Sequence, residues 1–165
     1  MPTPRISTEA TDSIYYLTFT VRRWYYLFDR HQRWDVLLQS LKYCQEHKGL
    51  QVFAWVFMLN HIHLLIKSSD VSGFIRDFKR HTSKELKKNI EATEPNALKL
   101  FEYGGEYHFW ESDNMPIRIE SEKFFLQKLK YIIENPVKKG YVREPEHWVY
   151  SSANLELLLR VDVLA

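Results

Sequence analysis

The sequence predicts an α+β domain in which an antiparallel sheet carries helices packed on it. The segments read in the order strand, helix, strand, strand, helix, strand or strands, helix, an order too irregular for a doubly wound parallel sheet. Segment 61–67 reads as the antiparallel partner of the apolar run just before it, with only Asn60 between them. The 165 residues show no internal repeat, linker or composition break, so a single domain over 1–165 with one core is expected.

Residues 1–12, mostly polar and holding two prolines, read as a flexible arm. SIYYLTFTV, 13–21, is rich in β-branched and aromatic residues and reads as a strand, followed by a turn region at 22–28. Trp34, Leu37, Leu38, Leu41 and Cys44 recur at helical spacing, and Gly49 is a natural stop. LQVFAWVFML, 50–59, is nearly all apolar and fits a strand buried on both faces. After Ser69-Asp70 comes an amphipathic helix. Val71, Ile75, Phe78, Thr82 and Leu86 form its apolar stripe, and Arg76, Arg80, Lys84 and Lys87 a basic one. Residues 91–100 read as loop, and YHFW and PIRI as short strands around the Gly104-Gly105 turn. Ser121 caps a helix from 122 to about 134 that Pro136 stops, and the tail reads as turns followed by a short apolar helix. This order fits a ferredoxin-like plan.

Composition narrows function only modestly. Aromatic residues reach 15%, which suits a strand-rich fold or a surface on which bases stack. A formal net charge of +2 makes the placement of charge more informative than its total. The single cysteine, Cys44, excludes an internal disulfide and a cysteine-based zinc cluster. The first residues carry no apolar signal region, and no apolar run nears the roughly 20 residues of a membrane span, so a cytoplasmic location is expected.

In LNHIHLLIK, His61 and His63 project from one face of a strand, with Ile62 and Leu64 on the other. Two imidazoles on a rigid support can chelate one divalent ion, though such a pair needs a third ligand. The competing reading is one hydrogen-bonded, half-buried histidine beside a solvated one. In the last helix Phe125, Leu129, Ile132 and Ile133 make the apolar stripe, and Tyr131 falls nearly opposite its centre. Lys128, Tyr131 and Asn135 share a face. That face is either a functional cluster or a solvated surface with an incidental aromatic.

The ordered set AWVFMLNHIHLLIK, IRDFKRHTSKEL, FWESDNMPI, LQKLKYIIENPVKKGYV and EHWVYSSA, from 54 to 153, resembles the single-tyrosine HUH transposases. It looks most like the REP-associated tyrosine transposases and their transposase-like relatives. The resemblance implies that His61 and His63 are the histidine pair that binds Mg²⁺ or Mn²⁺. It implies that Asn135 supplies the third metal ligand, and that Tyr131 is the nucleophile that attacks a single-stranded DNA phosphodiester. The products would be a 5′-phosphotyrosine link and a free 3′-hydroxyl. The implied partner is single-stranded DNA bearing hairpin or inverted-repeat sequence, and the implied role is DNA transposition. Because the family includes both dimers and monomers, a homodimer is one of two assemblies the resemblance allows. Leu59 stands where relatives often have Pro, and Met115 where they often have His.

Candidate DNA contacts are the stripe of Arg76, Arg80, Lys84 and Lys87, together with Lys79 on the flank of the apolar stripe and Lys128. Arg22, Arg23 and Trp24 add charge beside an aromatic ring. The stripe reads equally as a solvated face, diluted by Asp77. Three functions follow: a metal-dependent transesterase that nicks and rejoins DNA, a non-cleaving relative that grips structured single strands, and a small zinc hydrolase. The third lacks a positioned carboxylate near the histidines, and nothing in the sequence singles out Glu111 or Glu120 for that place.

Overall fold

A computed structural model describes residues 13–112 and 115–164. The arm at 1–12 and the pair Asp113-Asn114 lie outside the described residues.

Four strands form the main sheet: β1 (Ile14–Thr20), β2 (Gln51–Phe57), β3 (His61–Lys67) and a short strand at Ile117–Ile119. In chain order that short strand is β6, because a hairpin of β4 (Glu102–Tyr103) and β5 (Glu106–Tyr107) precedes it. The sheet order is β2-β3-β1-β6, and every pairing is antiparallel. With α1 (Arg33–His47), α2 (Val71–Thr93) and α3 (Glu122–Lys138), this is the expected ferredoxin-like plan.

Strand alternation sends two sets of side chains to opposite faces. Leu17, Phe19, Trp55, Phe57, Ile62, Leu64 and Ile66 enter the larger core with Leu37 and Leu41 of α1 and Phe78, Leu86 and Ile90 of α2. Tyr16, Ala54, Val56 and Leu65 face the other way and meet Phe125 and Ile132 of α3. The register sets Thr18 opposite His63 and Thr20 opposite His61. Both histidines therefore lie on the α3 side of the sheet, away from α1 and α2.

Several elements depart from the sequence reading. Residues 91–93 extend α2, and Pro95–Leu100 form a 3₁₀ segment instead of open loop. Of YHFW only Tyr107 is in a strand, while Trp110 makes one isolated bridge to Val21. Pro136 does not stop α3, which runs on to Lys138. Its missing N–H costs only one bond in the last turn, and the stop comes from Gly140 at φ 76°. Gly140 N–H donates to Val137 O and Tyr141 N–H to Pro136 O, a Schellman cap that needs left-handed backbone at the glycine. The tail forms no apolar helix. It pairs instead with the outer edge of β2: Tyr150 O accepts from Phe57 N–H, and the Ser152 and Asp162 N–H groups donate to Trp55 O and Val52 O. An edge strand leaves unpaired backbone groups, and this segment satisfies them while Leu159 enters the core.

One buried cation fastens α1 to the end of α2. Arg33 is 0% exposed and donates to Asn89 Oδ1 (2.9 Å), Leu27 O (3.1 Å), Thr93 Oγ1 (3.1 Å) and Glu94 Oε2 (3.4 Å). The guanidinium holds the Glu94 carboxyl below the usual range against its partial burial, with His31 and Arg30 helping. Arg33→Met should cost about 1–3 kcal/mol, because it leaves the buried Leu27 carbonyl and the partly buried acceptors of Asn89 and Glu94 without this donor. Urea unfolding of the variant checks this, and a loss under about 1 kcal/mol would contradict the network.

Candidate active site

The site is built on the α3 side of the sheet, at the N-terminal end of β3. His61 and His63 are 7% and 5% exposed, and their ring centroids are 4.9 Å apart. Each has a partner at Nδ1. Asn60 Oδ1 accepts from His61 Nδ1 at 2.7 Å, while Asn60 Nδ2 donates to Trp24 O at 2.9 Å. An amide oxygen only accepts, so the proton sits on His61 Nδ1 and the Nε2 lone pair is left available. His63 Nδ1 lies 2.9 Å from the Tyr16 hydroxyl and 3.0 Å from the Thr18 hydroxyl. Hydroxyls accept as readily as they donate, so Nδ1 can carry the proton there too and leave Nε2 its lone pair.

Asn135 of α3 is buried beside His61 in the same chain. Its Oδ1 and His63 Nε2 are both buried without a hydrogen-bond partner. Unsatisfied buried acceptors are costly and call for an explanation. Here they are two borderline-to-hard donors on side chains that both adjoin His61. Two imidazole nitrogens and one amide oxygen fit a divalent cation that keeps its remaining positions for water or substrate. His61, His63 and Asn135 are thus the residues that would hold a metal. Among the described residues no cluster of three or more His, Cys, Asp and Glu offers another such set.

The electrostatics suit an uncharged ligand pair. Burial, followed by Lys139, lowers the His61 pKa to about 4, with Asn135 acting in the opposite sense. Burial, then His61, Lys128 and Lys139, lowers that of His63 to about 3. Both rings are therefore neutral at physiological pH. Since the ordinary value is 6.5, the unfolded chain binds more protons than the folded one in mildly acidic solution. The stability these rings permit is present in full above about pH 7 and is lost as pH falls through 6.5 toward the folded values. In metal-free buffer at about pH 5 the loss should be about 2 kcal/mol per histidine. Urea midpoints of the wild type and of a His61→Gln/His63→Gln variant test this: the wild type should lose more between about pH 7 and 5, and equal losses would refute it.

Tyr131 stands over this pair. Its ring meets His63 edge-on at 5.5 Å and Tyr16 at 6.3 Å, yet it remains 38% exposed. The expected position nearly opposite the buried stripe needs correction. The buried set of α3 is Phe125, Ile132, Asn135 and Pro136, with Ile133 only half-buried. Counting polar Asn135 as buried turns the helix so that Tyr131 lies on the flank facing the histidines. Lys128 Nζ sits 4.4 Å from the centroid of the Tyr16 ring and 5.5 Å from that of Tyr131, and Lys138 Nζ is also 5.5 Å from Tyr131. Lys128, Lys138 and Lys139 make this a basic pocket suited to a phosphate.

The structure brings together His61, His63, Asn135, Tyr131 and Lys128, with Trp24 at the rim, its ring 6.1 Å from that of His61. The other candidates lie apart. Arg76 and Arg80 bond Asp77, which also takes Lys48, and Lys87 pairs with Glu91. Arg76, Arg80, Lys87 and exposed Lys84 belong to α2, on the opposite face of the sheet from the histidines. Lys79 Nζ donates to Glu111 O, Arg22 lies over the Tyr103 ring, and Arg23 N–H donates to Glu111 Oε1. Glu111 is thereby occupied with this loop. Leu59 O accepts from Leu27 and Phe28 N–H, and Met115 is exposed.

Tyr16, Thr18, Asn60, Lys138 and Lys139 are site residues the sequence reading did not single out. Tyr16 and Thr18 share the parity of His63 once β1 lies beside β3, so register is the signal that finds them. Burial raises the Tyr16 pKa to about 12, with Thr18 lowering it and Tyr131 raising it further, so Tyr16 keeps its proton.

Comparison with known proteins agrees with this architecture. A protein of Haemophilus influenzae provisionally named a REP-associated tyrosine transposase is 33% identical over 112 residues, 65% of this chain. The chain covers 61% of that protein, less than two thirds of its length. A solved REP-associated tyrosine transposase bound to a REP hairpin superposes with a TM-score of 0.71 at 19% identity, covering 92% of this chain and 82% of that one. A provisionally assigned transposase of Deinococcus radiodurans R1 gives 0.51 at 19% identity, over 82% of this chain and 97% of the other. At that identity the two structures establish the fold alone. No helix among the described residues is long and apolar enough to cross a membrane. The sequence profile of the IS200-like transposases matches residues 10–122, which include both histidines and end at the first residue of α3. By that match over more than half its length, the chain belongs to the IS200-like transposase family.

Proposed function

We propose that this chain is a metal-dependent single-stranded DNA transesterase that nicks and rejoins hairpin-bearing DNA through Tyr131, acting in DNA transposition. The observation that carries the reading is the buried, unpartnered pair His63 Nε2 and Asn135 Oδ1 beside His61, with an exposed tyrosine packed on the same histidines. A Mg²⁺ or Mn²⁺ ion held by His61, His63 and Asn135 would act as a Lewis acid on the scissile phosphate. Asn60, Tyr16 and Thr18 orient the two rings from behind. Lys128, Lys138 and Lys139 draw the phosphate toward the pocket and offset charge that develops on it. The Tyr131 hydroxyl attacks phosphorus and gives its proton to solvent, the bond between phosphorus and the 3′-oxygen breaks, and that oxygen takes a proton from solvent to leave as a 3′-hydroxyl. Tyrosine is then esterified to the 5′-phosphate. The phosphoryl group stays activated, so a 3′-hydroxyl can reverse the step without ATP.

Exposure separates the two tyrosines at the site. Tyr16 is buried, bonded to His63 and more firmly protonated than usual, whereas Tyr131 is accessible to a strand. The hairpin preference rests on the relatives, one of which was solved with a REP hairpin. Incubation with hairpin-bearing single strands and Mn²⁺, denaturation in SDS and peptide mapping should recover a nucleotide on Tyr131. Tight metal-independent binding with no adduct would support a non-cleaving relative instead. Glu111, one of the two carboxylates considered for the hydrolase reading, accepts the Arg23 N–H through Oε1.

A further inference from the structure

The turn Arg22–Trp24 is held in a conformation that ordinary residues avoid. Arg23 and Trp24 both have positive φ, 60° and 55°. Two successive left-handed non-glycine residues are unfavourable, and for a bulky aromatic doubly so. The surroundings over-determine the strained turn. Arg22 N–H donates to Phe109 O (2.9 Å), Arg23 N–H to Glu111 Oε1 (3.0 Å) and Trp24 N–H to Val21 O (3.0 Å). Asn60 Nδ2 donates to Trp24 O at 2.9 Å. What this scaffold presents is an indole 62% exposed, with its nearest ring contact the edge of His61. Strain maintained in order to expose a large apolar ring beside a candidate site points to function rather than packing.

We infer that Trp24 is the stacking platform for an unpaired base next to the phosphate that His61 and His63 address, and so selects single strands over duplex. The inference rests on the single-strand part of the function proposed above. Asn60 joins the two halves of the arrangement, since one side chain fixes both the His61 tautomer and the Trp24 carbonyl. The platform is thereby registered to the metal ligands. A base in a duplex is already stacked on its neighbours and cannot lie on the indole, whereas an unpaired base gains a π-face. The recognised feature is the presence of a free base, not its identity.

Binding of a randomised pool of short single strands, compared with an abasic deoxyribose-phosphate strand of equal length, tests this. The wild type should prefer the base-bearing pool by about tenfold, the scale of one base–aromatic stack. Trp24→Ala should erase most of that preference by weakening the base-bearing arm alone, and Trp24→Phe should keep part of it. Trp24→Gly, which tolerates left-handed backbone, should lose the preference while its thermal midpoint holds or rises. A preference unchanged in Trp24→Ala, an equal loss on both strands, a wild type that does not distinguish them, or a lower midpoint in Trp24→Gly would each overturn the proposal. The Tyr131 adduct is read separately on the same preparations. Its absence alongside a Trp24-dependent preference would sink the covalent chemistry and leave the stacking role standing.

Discussion

Tyr131→Phe should abolish the covalent protein–DNA adduct while leaving strand binding within about twofold of the wild type. The substitution removes one oxygen, which the proposed step requires as nucleophile, and preserves the ring that packs on His63 and Tyr16. No neighbour can substitute for it. Among the described residues the only other tyrosine against the histidines is Tyr16, whose hydroxyl is buried on His63 Nδ1 and whose pKa is pushed up to about 12. Cleavage should fall by at least about 10³-fold, as expected when the group that bonds to the substrate is deleted. Gel resolution of nicked product after SDS treatment measures it. Cleavage within tenfold of wild type would remove Tyr131 from the mechanism.

His63→Ala should be nearly as severe, for a different reason. It deletes a proposed ligand, so manganese binding followed by calorimetry should weaken beyond detection at millimolar ion, and cleavage should drop by about 10³-fold. That figure corresponds to several kcal/mol of phosphate polarisation. Tyr16→Phe provides the graded comparison. It leaves the Thr18 hydroxyl at His63 Nδ1 and removes the Tyr16 one, and loss of such an orienting bond costs about 10–100-fold in metal affinity. If the His63 variant binds the ion as tightly as wild type, the histidines are structural.

The fold was legible because its signals are local. The β-branched and aromatic content of 13–21, helical spacing from Trp34 to Cys44 and the apolar run before Asn60 each name an element without knowledge of its neighbours. Where local rules failed, tertiary context had overridden them. Pro136 reads as a helix stop, but it falls in the last turn, where one absent N–H is tolerated. LELLL reads as helix, but the open edge of β2 required partners, and Tyr150, Ser152 and Asp162 on either side of it supply them while the segment between folds into turns. The site divided along the same line. The histidine pair follows from strand parity, whereas Tyr16 and Thr18 become neighbours of His63 only through a pairing across 47 and 45 residues. The basic stripe of α2 was conspicuous in sequence, yet it lies across the sheet from the histidines. Amphipathic spacing reveals which residues share a face, and only packing reveals what that face looks toward.

The cap of α3 has a kinetic consequence. Helices open first at their ends, and Asn135 lies in the final turn, where fraying would swing its side chain away from His61. Pro136 holds φ of the next residue near the helical value, and the paired donations from Gly140 and Tyr141 close the carbonyls behind it. Local unfolding of this turn therefore has to break the cap before it can release Asn135. Amide hydrogen exchange at Gly140 and Tyr141 should be slow for a chain terminus of a helix, and Gly140→Ala should speed it together with exchange at Lys139, whose N–H bonds Asn135 O. The lifetime of the Asn135 side chain's position, as distinct from its place, is set by a glycine five residues downstream.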